Sequence, residues 1–148
     1  MDLKTQLNDV LKEAMKAGDD VRKRTLRMVL AAVKQVEIDR RITLDEPAIL
    51  AILQKEIKTR KESLEEAQKA GREGLAADAQ AEIAVLTAFL PVGLSADELR
   101  ALAQTAIAET GASVPADMGK VMKTLLPKVA GRAPGDQVSA IVRELLQQ

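Results

Sequence analysis

The apolar residues of this chain recur with a period near 3.6, and that spacing constrains the fold more than any other feature. Met118, Val121, Met122, Leu125, Leu126 and Val129 fall at i, i+3, i+4, i+7, i+8 and i+11, one face of a helix. Leu3, Leu7, Val10, Leu11 and Ala14 make a first stripe, headed by Asp2 and closed by Gly18. Val21, Thr25, Met28, Val29, Ala32, Val33 and Val36 make a second, opened by Asp19 or Asp20. Ile49, Leu50, Ile52, Leu53, Ile57, Leu64 and Ala67 mark a long third helix that Gly71 ends. Leu75, Ile83, Val85, Leu86 and Phe89 mark a fourth. Alternation of β-branched and aromatic residues is absent, and Ala, Leu, Lys, Glu and Gln dominate. The expected fold class is all-α.

Helix-breaking residues divide the pattern. Asp45-Glu46-Pro47 joins an N-cap acid to a first-turn proline, a helix start. In LPVGLSADELR, Pro91 and Gly93 break helix, and Ser95 with Glu98 forms a capping box. A domain boundary is expected there, with a bundle of long helices over residues 1–91 and a small three-helix domain over 95–148. The latter carries Leu99, Leu102, Ala103, Ala106 and Ile107 up to Gly111, then the Met118–Val129 stripe, then Val138, Ile141, Val142 and Leu145. Pro127 lacks an N–H and restricts Leu126, so the middle helix is expected to end or kink there.

Composition excludes several chemistries. The 148 residues contain no Cys and no His, which removes thiolate and imidazole zinc ligands and rules out Ser-His-Asp and Cys-His catalysis. Ser63, Ser95, Ser113 and Ser139 are scattered at caps or on helix faces, which leaves only a Ser–Lys arrangement open. No Walker A or dinucleotide fingerprint occurs; no cofactor and no metal is expected. The carboxylate pairs Glu37/Asp39 and Glu62/Glu66 read as solvated helix faces. Gly71-Arg72-Glu73-Gly74 matches the GxxG loop of KH domains in letters only, because that loop belongs to an α/β fold; it reads as a turn between helices. Acidic residues are frequent at the N-terminus, no uncharged signal run is seen, and no stretch approaches the roughly 20 apolar residues of a membrane span. A soluble, cytoplasmic protein without membrane contact is expected.

Lys plus Arg (22) balances Asp plus Glu (22), so any surface for a polyanion must be a local patch. Two segments qualify. Arg22, Lys23, Arg24, Arg27, Lys34 and Arg41 lie on or beside one face of the second helix, with no acid between Asp20 and Glu37. They would contact phosphates or pair with acids of the third helix such as Glu56, Glu62 and Glu65. Lys120, Lys123, Lys128 and Arg132 occupy an acid-free run between Asp117 and Asp136, beside a glycine-permitted turn at Gly131. Exposed lysines next to such a turn would offer charge and backbone amides together, a combination suited to phosphate.

LRMVLAAVKQVEIDRR (Leu26–Arg41), LQKEIKTRKESLEEAQKAGRE (Leu53–Glu73), EIAVLTAFLP (Glu82–Pro91) and DMGKVMKTLLPKVAGRAPG (Asp117–Gly135) together resemble the YqeY family. The last third resembles the tail domain of the B subunit of the glutamine-dependent aspartyl/glutamyl-tRNA amidotransferase, through Gly119-Lys120-Val121-Met122-Lys123 and Gly131-Arg132-Ala133. The resemblance implies a GatB/YqeY-like long-helix bundle with a three-helix unit, and a tRNA-binding accessory role. Its partners would be tRNA and an aminoacyl-tRNA synthetase or tRNA amidotransferase. Gly119, Lys120, Lys123, Lys128, Gly131 and Arg132 would bind, with Arg22, Lys23, Arg24, Arg27 and Lys34 as a second contact. Four phosphate contacts would give a log-log salt slope of order −3 to −4. The alternatives are a protein-interaction adaptor without RNA contact, and the carbon-nitrogen ligase with glutamine as amido donor named in the family's label. Gly74 stands where the family often has an acid, which implies a loose cap for the fourth helix.

Overall fold

The computed structural model describes residues 2–148, and all regular structure among them is helical. In chain order the helices are α1 (Leu3–Ala17), α2 (Asp20–Arg40), α3 (Glu46–Lys69), α4 (Glu73–Thr87), α5 (Ala96–Thr110), α6 (Met118–Val129) and α7 (Gly135–Leu146). A single 3-10 turn, Pro115–Asp117, leads into α6. The described helices group into two compact units, one ending at Leu90 and one running from Pro91 to Gln148.

Side chains set most helix starts. Asp2, Asp19 and Asp45 each accept a hydrogen bond from the backbone N–H three residues ahead, at Thr5, Arg22 and Ala48. This satisfies a donor that the first turn leaves without a partner. Ser95 and Glu98 cap α5 reciprocally. Arg72, at the N-cap of α4, supplies no side-chain cap, in keeping with the loose cap expected from Gly74. Gly18 and Gly111 end α1 and α5 with φ of 68°, a left-handed conformation that a Cβ disfavours.

In the first unit α2, like α3, packs against each of the other three helices. Leu7, Leu26, Val29, Leu53 and Leu86 are fully buried among them. Each such side chain contributes on the order of 2 kcal/mol by leaving water. In the second unit α5, α6 and α7 each pack on the other two, over Leu99, Ala103, Val121, Leu125, Val138 and Val142.

Several expectations need correction. α6 does not end at Pro127 but continues to Val129. Pro127 sits in the last turn, where the carbonyl it leaves unpaired belongs to a group that can turn to solvent. Met28, Leu75 and Leu126, read as stripe residues, are exposed. Arg41 leaves the α2 face because it is the C-cap, with φ of 55°. Glu37 is not a solvated carboxylate. Its side chain is 14% exposed. It accepts from Lys4 Nζ at 2.7 Å and from the Leu44 N–H at 2.8 Å, tying α1 and the α2–α3 loop to α2. Lys4 foremost, then the Leu44 amide, holds its carboxyl below the ordinary range.

Arg60, on the α3 stripe between Ile57 and Leu64, is the one charged residue buried among the described residues, at 7% exposure. Its Nη1 donates to the Glu56 carbonyl at 3.2 Å and to Glu56 Oε2 at 2.6 Å. Glu82 Oε2 stands 3.9 Å from Arg60 Nε, while Glu82 Oε1 stands 3.5 Å from Arg24 Nε. Glu82 of α4 therefore links a cation of α2 to one of α3. Removing one partner of a buried pair leaves uncompensated charge. Glu82→Ala should lower unfolding stability by roughly 2 kcal/mol in urea titrations, and Arg60→Met by less, since Glu56 and Glu82 both reach water. A second expectation concerns acid. Glu37's folded pKa is depressed, so its contribution is complete above the ordinary glutamate value of about 4.3 and is lost as pH falls below it. Glu37→Gln should be less stable at neutral pH and show a shallower loss below that value, read by thermal melts across pH.

Candidate nucleic-acid interface

The lysine-bearing surface of α6 follows from its stripe. With Val121, Leu125 and Val129 buried against α5 and α7, Lys120, Lys123 and Lys128 are left on the exposed side. Their environments differ. Lys120 Nζ donates to the Thr110 carbonyl at 3.3 Å, at the C-terminal end of α5, where unpaired carbonyls favour a cation. It makes no ion pair within 4.0 Å among the described residues, although the Asp117 carboxylate lies near enough to feel its charge. Lys123 has no hydrogen bond or ion pair among the described residues. Lys128 Nζ, by contrast, sits 2.7 Å from Glu109 Oε2.

The turn after α6 differs from the expected amide-presenting loop. Ala130 and Gly131 are both left-handed, with φ of 50° and 77°. The Ala130 and Arg132 N–H groups are taken by the carbonyls of Leu126 and Val129. These amides are used within the turn and are not on offer to a phosphate. Arg132 Nε donates to the Val92 carbonyl at 2.9 Å, and the Arg132 carbonyl accepts from the Leu94 N–H at 2.9 Å. Arg132 thus also fixes the segment entering α5. Gly119 lies in the first turn of α6 with open space where a Cβ would stand. Asp117 accepts from the N–H groups of Ser113 and Val114, which hold its carboxyl low; nearby Lys120 adds to this.

The α2 ridge divides. Arg22 pairs with Asp19 at 2.9 Å, Lys23 with Asp20 at 3.6 Å, and Arg24 with Glu82. These acids come from the start of α2 and from α4, rather than from Glu56, Glu62 and Glu65 on α3. Arg27 and Lys34 are exposed and make no hydrogen bond or ion pair among the described residues. The structure therefore brings Lys120 and Lys123 together, one turn apart, and leaves Arg27 and Lys34 about two turns apart along α2. The hydroxyls of Ser63 and Ser139 donate to carbonyls of their own helices, and that of Ser95 accepts from Glu98. The sequence reading missed Arg60 and Glu82. The signal was present: Arg60 stands on the Leu53, Ile57, Leu64, Ala67 stripe.

Fold and surface together define an all-α protein of two aliphatic-cored units, one bearing a lysine face. The chain belongs to the YqeY family: the model for Yqey-like proteins matches residues 4–146. Among its relatives is Altered inheritance of mitochondria protein 41, mitochondrial, of Eremothecium gossypii. It is 39% identical over 112 residues, covering 73% of this chain and 61% of that protein. The protein of the same name from Vanderwaltozyma polyspora is 38% identical over 81 residues, covering 54% and 44%. The chain thus spans roughly half the length of the curated relatives it matches. Their name overturns the expectation of a cytoplasmic setting. That expectation rested on missing cysteines and a missing secretory run, and a mitochondrial leader is amphipathic and Arg-rich, so neither feature bears on it. No helix among the described residues is long and apolar enough to cross a membrane.

The Lys128–Glu109 pair gives a direct check of local charge. Glu109→Gln should release Lys128 and retard elution from a heparin column, while changing stability by no more than about 1 kcal/mol, as for an exposed pair.

Proposed function

We propose that this chain is a tRNA-binding accessory module serving tRNA-dependent amidotransfer or glutaminyl-tRNA synthesis, with a synthetase or amidotransferase as its protein partner. The observation that carries the reading is the pair Lys120 and Lys123, exposed one turn apart on α6 and making no ion pair among the described residues. Gly119 supports it, because its bare backbone lets a phosphate approach beside Lys120. Arg132 contributes charge while its Nε is engaged with Val92. Lys128, paired with Glu109, contributes less. The ligand is folded, backbone-presenting RNA, since Phe89 is the sole aromatic and bases have no platform to stack on.

Three cations rather than four set the expected salt dependence. A tRNA titration should give a log-log slope of about −2 to −3. Lys120→Glu/Lys123→Glu should weaken binding at least tenfold near 0.1 M salt and flatten the slope by about 2, with an unchanged far-UV spectrum. A wild-type slope near zero, or a variant that binds as wild type does, removes the proposal.

A further inference from the structure

A second surface lies in the first unit. α1 and α4 both pack on α2, yet no substantial packing joins α1 to α4. Between them runs an open groove of about 900 Å³. Its floor and one wall are apolar: Val10, Val21, Val85 and Phe89, with Ala84 and Ala88 exposed on α4. α4 is apolar on two sides. Leu86 and Ala79 enter the core, while Ala81, Ala84 and Ala88 face away from it.

The other wall is acidic. Asp9 and Glu13, one turn apart on α1, line the groove and have no ion pair or hydrogen bond among the described residues. Arg22, the one cation on the groove, is already paired with Asp19. The unbalanced charge is therefore negative.

We infer that this groove docks a basic amphipathic helix of a partner protein, its apolar face on Val85, Phe89 and the α4 alanines and its Lys or Arg residues against Asp9 and Glu13. A helix fits better than an extended segment. The walls are helices whose amides are spent internally, so an extended peptide would bury unpaired N–H and C=O groups, whereas a helix satisfies its own. The alanines allow the close approach that helix packing needs, about 8–10 Å between axes. A second copy of this chain is a poorer occupant. The large apolar residues it exposes are scattered, Met15 on α1, Met28 and Ile38 on α2, Leu75 on α4 and Leu126 on α6, and make no single helix stripe. An anionic membrane is disfavoured by the acidic wall.

The test uses the full chain and two synthetic 18-residue helical peptides with the same leucine and alanine face, one flanked by lysines and the other by glutamates. The lysine peptide should bind at least tenfold tighter, with amide shifts confined to α1, the start of α2 and α4. Asp9→Lys/Glu13→Lys should reverse the preference. Ala84→Phe, at an exposed position that leaves the core intact, should fill the groove and abolish binding while the thermal midpoint stays unchanged. Equal binding of both peptides, binding of neither at about 0.5 mM, or shifts mapping elsewhere overturns the inference. So does concentration-dependent self-association in sedimentation that Ala84→Phe removes, which assigns the groove to a second copy.

Discussion

Burial of one aliphatic stripe per helix is the interaction on which everything else in this protein depends. With a single aromatic and no disulfide available, each unit must close its core with Leu, Val, Ile and Ala alone. Such side chains are small. Close packing then requires every helix to present its stripe in register, because a missing methylene leaves a void that nothing bulky can fill. The faces left over are fixed by the same geometry. Lys120 and Lys123 point outward because Val121 and Leu125 point inward, and Asp9 and Glu13 flank an open groove because Leu3, Leu7 and Ala14 do not.

Charge is divided between architecture and display. Much of the positive charge that looks available in the sequence is already engaged. Arg24, Lys128 and Arg132 each hold one element to another, Arg22 is paired with Asp19 at the head of its own helix, and Arg60 is drawn into the interior by Glu56 and approached by Glu82. Of the cations that the sequence singled out for the phosphate surface, Lys120 and Lys123 on α6 and Arg27 and Lys34 on α2 make no ion pair among the described residues. A formally neutral chain can thereby carry a local cationic surface and, elsewhere, an acidic one.

The helices were legible in the sequence because their signals are local. Asp2, Asp19, Asp45 and Ser95 cap the helices they precede, and Gly18 and Gly111 close theirs. What was not legible depends on distant partners. Glu37 looked like one of many surface acids, and only the return of the chain at Leu44 and the approach of Lys4 make it structural. Glu82 gave no hint that it would stand between Arg24 and Arg60, 58 and 22 residues away. The site followed the same rule. The exposure of Lys120 and Lys123 could be read from the stripe, whereas the pairing of Lys128 with Glu109 and the engagement of the Ala130 and Arg132 amides required the tertiary fold.

Phe89 is the only aromatic side chain, half-buried on the wall between α1 and α4, and tryptophan and tyrosine are absent. The protein is therefore almost silent in near-ultraviolet absorption and emission. A tryptophan placed at that position would be its lone fluorophore, and its emission colour would register solvent exclusion from that wall without any background to subtract.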